Sequence, residues 1–105
     1  MQRLSFLIHL KPGADPVEYK RRHDELWPEM ADALRGAGIH NYSIFRHGDT
    51  LFAYLECDDF NQMARTLAAD PVNARWQRYM ADMLTIEADP QTGFAKLLPE
   101  MFYLA

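Results

Sequence analysis

Tyr19, His23 and Trp27 stand at i, i+4 and i+8 in the stretch Tyr19-Lys20-Arg21-Arg22-His23-Asp24-Glu25-Leu26-Trp27-Pro28-Glu29. On a helix that spacing lines up a phenol, an imidazole and an indole as one stripe. Phenol and imidazole exchange protons, and an indole supplies a flat apolar wall. Proton chemistry on a small polar molecule needs that mixture. The competing reading is an ordinary amphipathic helix with a half-buried histidine, because aromatic stripes more often serve a core than a site.

Other chemistries find little support. His9, His23, His40 and His47 share no metal-ligand spacing with one another or with cysteine, and neither HExxH nor CxxC occurs, so no metal site is expected. No glycine-rich phosphate loop follows a strand, no GxSxG occurs, and Ser5 and Ser43 fall within expected strands. Cys57 is the single cysteine; it closes an alternating apolar run and reads as a small buried residue. With no intrachain disulfide possible, a reducing, cytoplasmic compartment is expected. Proton transfer by histidine and tyrosine remains.

Composition sets the frame. The 105 residues suit one domain with a modest core, and a site completed by oligomerisation would fit that size. The net charge is −4, and the only basic run, Lys20-Arg21-Arg22, is flanked by acids, which argues against a nucleic-acid partner. No run of about twenty apolar residues exists and the N-terminus has no secretion-signal pattern, so neither a membrane span nor export is expected.

The elements that must position the stripe follow from local pattern. Residues 2–11 alternate, with Leu4, Phe6, Ile8 and Leu10 on one face, as in a half-buried strand. Asp15 caps a helix, Pro16 suits its first position, and Glu18 has capping-box spacing. Pro28 predicts a break at Trp27, with a second helical segment over about 28–35. Residues 39–46 and 50–57 form a hairpin around His47-Gly48-Asp49, with Tyr42, Ile44 and Arg46 sharing a face. Asp58-Asp59 and Asp70-Pro71 open two more helices, the second with a stripe of Val72, Trp76, Tyr79, Met80 and Met83. Residues 85–99 read as a long loop, and the apolar end from Glu100 to Ala105 as a last strand. The order is βαββαβ, an α+β ferredoxin-like plan with an antiparallel sheet and helices on one face. A second copy is the simplest cover for the other face, which predicts a homodimer.

These residues carry a resemblance over nearly the whole chain. Tyr19, Arg21, Arg22 and His23 with Trp27-Pro28-Glu29, the segment Gly38 to Tyr42, Arg75, Trp76, Tyr79 and Met80 with Asp82 and Met83, and the ending Phe102-Tyr103-Leu104 together resemble the L-rhamnose mutarotase family. The resemblance implies a dimeric α/β-barrel whose C-terminal strand contacts the partner. It implies a sugar substrate, a proton-donating histidine at His23, and sugar-binding tyrosines at Tyr19 and Tyr42. A paired tryptophan of the family corresponds to Trp76-Gln77, so the first is kept and the second is replaced. The family's asparagine-proline-aspartate-asparagine-serine-proline loop is also altered, to Glu87-Ala88-Asp89-Pro90-Gln91-Thr92. Both departures bear on the sugar's identity, leaving L-fucose or another 6-deoxy-hexose as the alternative to L-rhamnose. The rival class for this plan is a dimeric α/β-barrel monooxygenase or a non-enzymatic ligand-binding module.

Mutarotation passes through the open-chain aldehyde. It needs a proton delivered to the ring oxygen and one removed from the anomeric hydroxyl, with no cofactor. A group with a pKa near 6.5 both donates and accepts at neutral pH, so His23 suits the work. Tyr19, with an ordinary pKa near 10, is the weaker base and orients the sugar or relays a proton. Trp27 and Trp76 offer stacking surfaces for the apolar face of a 6-deoxy sugar.

Overall fold

The first helix begins where the sequence places it. In the computed structural model, which describes residues 1–105, the Val17 amide donates to the Asp15 carboxylate at 2.9 Å and Pro16 opens α1 (Pro16–Asp24). The capping box expected of Glu18 does not form. Arg21 and Arg22 hold its carboxylate at 2.7 and 2.8 Å, and two charge-assisted partners outcompete one backbone amide. Trp27 is extended (φ −57°, ψ 134°), as the following proline requires, and the chain resumes as α2 (Pro28–Gly36).

The sheet consists of β1 (Gln2–Leu10), β2 (Ile39–His47), β3 (Thr50–Cys57) and β4 (Leu84–Thr85) in the order β2-β3-β1-β4, with every pair antiparallel. Between β3 and β4 lie α3 (Phe60–Ala69) and α4 (Pro71–Met80). This is the ferredoxin-like α+β plan expected from the pattern. Phe6, Ile8 and Leu10 of β1 and Leu51, Ala53, Leu55 and Cys57 of β3 form the buried face, against Tyr19, Met30, Met63, Leu67, Trp76 and Met80 of the helices. The opposite face leaves Phe45 68% and Phe52 42% exposed.

The fourth strand is not where the sequence suggested. It is the short Leu84–Thr85 just after α4, and the apolar tail forms no strand. The segment read as a loop turns back on itself instead: Ala88 bridges Ala95, and Leu97 bridges Phe6 beside β4 on the same edge of β1. The Leu98 amide still donates to the Ser5 carbonyl at 2.8 Å, but Pro99 has no amide with which to extend the ladder. Met101, Phe102 and Leu104 are left at least 80% exposed. Tyr103 is anchored within its own chain by the Arg3 guanidinium, 3.4 Å from its ring centroid.

A second departure lies in β2. His40 pairs with Glu56 and Ser43 with Tyr54, so Asn41 and Tyr42 together oppose Leu55. This is a β-bulge, with Asn41 in the left-handed region at φ +51°. Asparagine tolerates that conformation better than most residues. One extra residue inverts the alternation. Ile39 before the bulge and Ile44 after it therefore both meet the core, and Tyr42 turns to the helix face, edge-on to Phe6 at 6.4 Å.

Arg22 ties the helices together. It donates to Glu18 on its own helix, to both Asp82 oxygens at 2.9 and 3.2 Å, and to the Tyr79 carbonyl at 3.0 Å at the end of α4. Its guanidinium also lies 4.6 Å from the Tyr79 ring centroid. The side chain is only 13% exposed. Arg22→Met keeps the apolar stem and removes these donors; it is expected to lower the melting temperature by about 5–10 °C. Thermal unfolding followed by circular dichroism checks this, and an unchanged midpoint would show that the clamp does not hold the helices.

Candidate active site

Helices and sheet enclose a cavity of about 830 Å³. Phe6 and Ile8 of β1, Leu51 of β3 and Met30, Trp76 and Met80 of the helices give it an apolar lining. Polar groups enter from a few places: Tyr19, Lys20, His23 and Asp24 on α1, Tyr42 in the bulge of β2 with Arg46 further along that strand, and Asn73 and Gln77 on α4. An apolar vessel with a few convergent polar groups is the usual form of a small-molecule site.

His23 is fixed at one nitrogen and free at the other. Its Nδ1 lies 3.0 Å from the Tyr19 carbonyl, which can only accept, so the proton sits on Nδ1. Nε2 has no protein partner and is not sealed from solvent. In the neutral ring Nε2 is therefore a lone pair presented beside the cavity. The ring is held between the Tyr19 ring, stacked at 4.3 Å and 22°, and the Trp76 edge at 5.4 Å and 85°. Burial lowers the His23 pKa below its ordinary 6.5; the bond to the Tyr19 carbonyl and the charge of Asp24 oppose the shift without cancelling it. Burial thus favours the neutral imidazole, with its Nε2 lone pair available.

Tyr19 is buried, and its hydroxyl makes no protein hydrogen bond yet is not sealed. Burial pushes its pKa up to about 12, so the phenol stays protonated and serves as a hydrogen-bond donor, not a base. Tyr42 keeps 36% of its surface accessible, yet enough protein surrounds the phenol that burial raises its pKa as well, with the nearby Tyr19 phenol adding to the effect.

Five of the six residues singled out in the sequence therefore meet at one cavity: Tyr19, His23, Tyr42, Trp76 and Gln77. Trp76 is almost fully buried and forms wall, whereas Gln77 is exposed at the lining, with its amide donating to Asn73 Oδ1 at 3.2 Å. Trp27 does not line the cavity. The helix bearing Tyr19 and His23 ends at Asp24, so the i+8 spacing does not carry the stripe on to Trp27. Its indole instead buttresses Trp76 from behind, edge-on at 5.2 Å and 89°, and leans on Tyr79 at 5.4 Å. Sequence reading missed Asn73 and Phe94. Asn73 was recoverable, because it stands three residues before Trp76 and four before Gln77 on one helix face. Phe94 was not: it comes from the turned-back segment, meets Phe6 at 5.1 Å and Phe60 at 5.7 Å, and closes the cavity from a region without helical or strand periodicity.

Fold and site define a ferredoxin-like α+β protein whose apolar cavity is equipped for proton transfer. Comparison with known proteins sharpens this. The family model described as L-rhamnose mutarotase matches residues 3–104. An L-rhamnose mutarotase of Listeria monocytogenes is 43% identical, with all of both chains covered, and one of Burkholderia cenocepacia is 45% identical over 99% of each. The crystal structure of an L-rhamnose mutarotase from Formosa agariphila superposes with a TM-score of 0.79 at 32% identity, covering 100% of each chain. The chain belongs to the L-rhamnose mutarotase family.

Proposed function

We propose that this chain interconverts the α and β anomers of L-rhamnose in the cavity above, with His23 moving the proton. The observation that carries the reading is the fixed tautomer: Nδ1–H engaged by the Tyr19 carbonyl, Nε2 a free lone pair, and a pKa lowered by burial. In the proposed step Nε2 takes the proton of the anomeric hydroxyl. The anomeric oxygen becomes the aldehyde carbonyl as the bond from the anomeric carbon to the ring oxygen breaks. The imidazolium then hands the same proton to the ring oxygen. Rotation of the aldehyde and reversal of both transfers closes the ring on the other face. Tyr19 and Tyr42, protonated at neutral pH, hydrogen-bond the sugar, and Trp76 and Gln77 line its flank. The apolar lining suits a sugar with a methyl group in place of one hydroxyl. L-fucose is the second reading, favoured by Gln77, whose amide both donates and accepts.

The homodimer belongs to the same proposal. Exposed Phe45 and Phe52 on one sheet face and the exposed tail Met101–Leu104 are apolar surfaces that a second copy would cover. The single free thiol of Cys57, itself buried, is consistent with a cytoplasmic enzyme. No helix is long and apolar enough to cross a membrane.

His23→Ala is expected to lose about 10²–10⁴ in the anomer-exchange rate of L-rhamnose measured by saturation-transfer NMR, while Tyr19→Phe loses less. Because burial lowers the His23 pKa, the wild-type rate is expected to fall on the acid side with a midpoint below 6.5. The sign for stability is the same: the unfolded chain binds this proton more readily, so stability contributed by the neutral ring is present above pH 6.5 and lost as pH drops toward the lowered pKa. A wild-type rate in His23→Ala sinks the assignment. For assembly, sedimentation equilibrium at micromolar concentration is expected to give twice the 12.2 kDa chain mass; a stable monomer would exclude the dimer.

A further inference from the structure

The residue that turns Tyr42 into the cavity is not itself in the cavity. Asn41 holds the left-handed conformation of the bulge at φ +51°, and its side chain is engaged on the other side of the sheet. Asn41 Nδ2 donates to Glu56 Oε1 at 2.9 Å, and the Tyr54 hydroxyl donates to Glu56 Oε2 at 2.6 Å. Both carboxylate oxygens are thus occupied, one by the bulge and one by the β3 residue two positions away. Glu56 stands opposite His40, the last residue paired before the bulge, and Tyr54 opposite Ser43, the first paired after it. The three side chains therefore span the irregularity from end to end.

An asparagine at positive φ has a lower-energy alternative. If Asn41 relaxed to the extended region, the bulge would smooth into regular pairing, and every side chain from Tyr42 onward would exchange faces. Tyr42 would leave the helix side, and Ile44 would leave the core with it. Loss of core contact by Ile44 already opposes complete relaxation. The local angle of the Tyr42 ring is set by packing alone: its aromatic contact is the Phe6 edge at 6.4 Å, and no hydrogen bond within the protein fixes its hydroxyl.

We infer that Asn41, Glu56 and Tyr54 form a positioning device on the outer face of the sheet that sets the aim of Tyr42 into the sugar cavity. Glu56 touches no part of the cavity and acts only through Asn41, so it is a positioning residue. The inference rests on the reading of Tyr42 as a sugar contact. It predicts a defect in binding and not in chemistry, because His23 is carried by a different element.

The test is a mutant cycle read by saturation-transfer NMR across a range of L-rhamnose concentrations, using the full chain. Glu56→Ala is expected to raise KM about five-fold, the worth of one ordinary hydrogen bond to the sugar, with kcat within about two-fold of wild type. Glu56→Gln, which retains an acceptor for Asn41, is expected to restore most of the loss. In a Tyr42→Ala background Glu56→Ala is expected to add nothing further to KM. Asn41→Gly keeps the positive φ but removes the amide, and is expected to match Glu56→Ala; it serves equally should Glu56→Ala fold poorly. An effect of Glu56→Ala on KM that persists undiminished in the Tyr42→Ala background overturns the inference, as does a lowered melting temperature with unchanged KM. If Tyr42→Ala alone leaves KM unchanged, the sugar-contact reading falls and takes this inference with it; if Tyr42→Ala raises KM and Glu56→Ala does not, this inference alone fails.

Discussion

The arrangement depends on where α1 lies, and Arg22 sets it. The helix is nine residues long and is interrupted at Trp27-Pro28, too short to be stable by itself. Tyr19 supplies its one fully buried side chain. What fixes its rotation is a guanidinium that reaches Glu18 on the same helix and, on the far side of the chain, Asp82 and the Tyr79 carbonyl. Planar, multiply donated contacts of this kind define orientation as well as attraction. With Arg22 held toward α4, Tyr19 and His23 on the same short helix line the cavity.

From that constraint the tautomer of His23 follows locally. The carbonyl that receives Nδ1–H belongs to Tyr19, one helical turn earlier, so a single helix supplies the imidazole, chooses its tautomer and stacks a phenol ring against it. The same burial that keeps the imidazole neutral keeps the phenol protonated. One environment moves the two groups in opposite directions, away from charge in each case, because desolvation penalises whichever form is ionised. A neutral imidazole and a protonated phenol thereby stand side by side in the cavity wall, while the Lys20–Asp24 ion pair at its rim is exposed. Trp27, outside the cavity, contributes by stiffening Trp76, which in turn meets His23 edge-on.

Much of this was legible in the residues. The strands follow their alternation, the helix starts follow Asp15-Pro16 and Asp70-Pro71, and the 19/23 spacing placed a phenol and an imidazole on one face. The failures have physical causes. Spacing arithmetic extended the stripe to Trp27 across a proline break that ends the helical geometry. The tail 101–104 has strand-forming residues, but a strand also needs an edge and unbroken donors, and Pro99 ends the donors while Leu84–Thr85 and Leu97 already occupy the edge. The bulge was invisible because no glycine marks it: Asn41 takes the left-handed conformation, and its cost is offset by partners that are distant in sequence. Tyr42 entered from its family resemblance, and the structure supplies the reason why a residue in that position turns inward.

In the proposed step His23 Nε2 meets the anomeric centre of the sugar. A crystal structure of the His23→Gln variant grown with L-rhamnose tests it most directly, because the slowed enzyme retains the sugar in its reacting position. The anomeric hydroxyl or ring oxygen is expected within about 3 Å of the side-chain amide introduced at position 23, with other hydroxyls on the Tyr19 and Tyr42 phenols. A sugar bound with its anomeric carbon at the opposite end of the cavity, beyond hydrogen-bond reach of position 23, would contradict it.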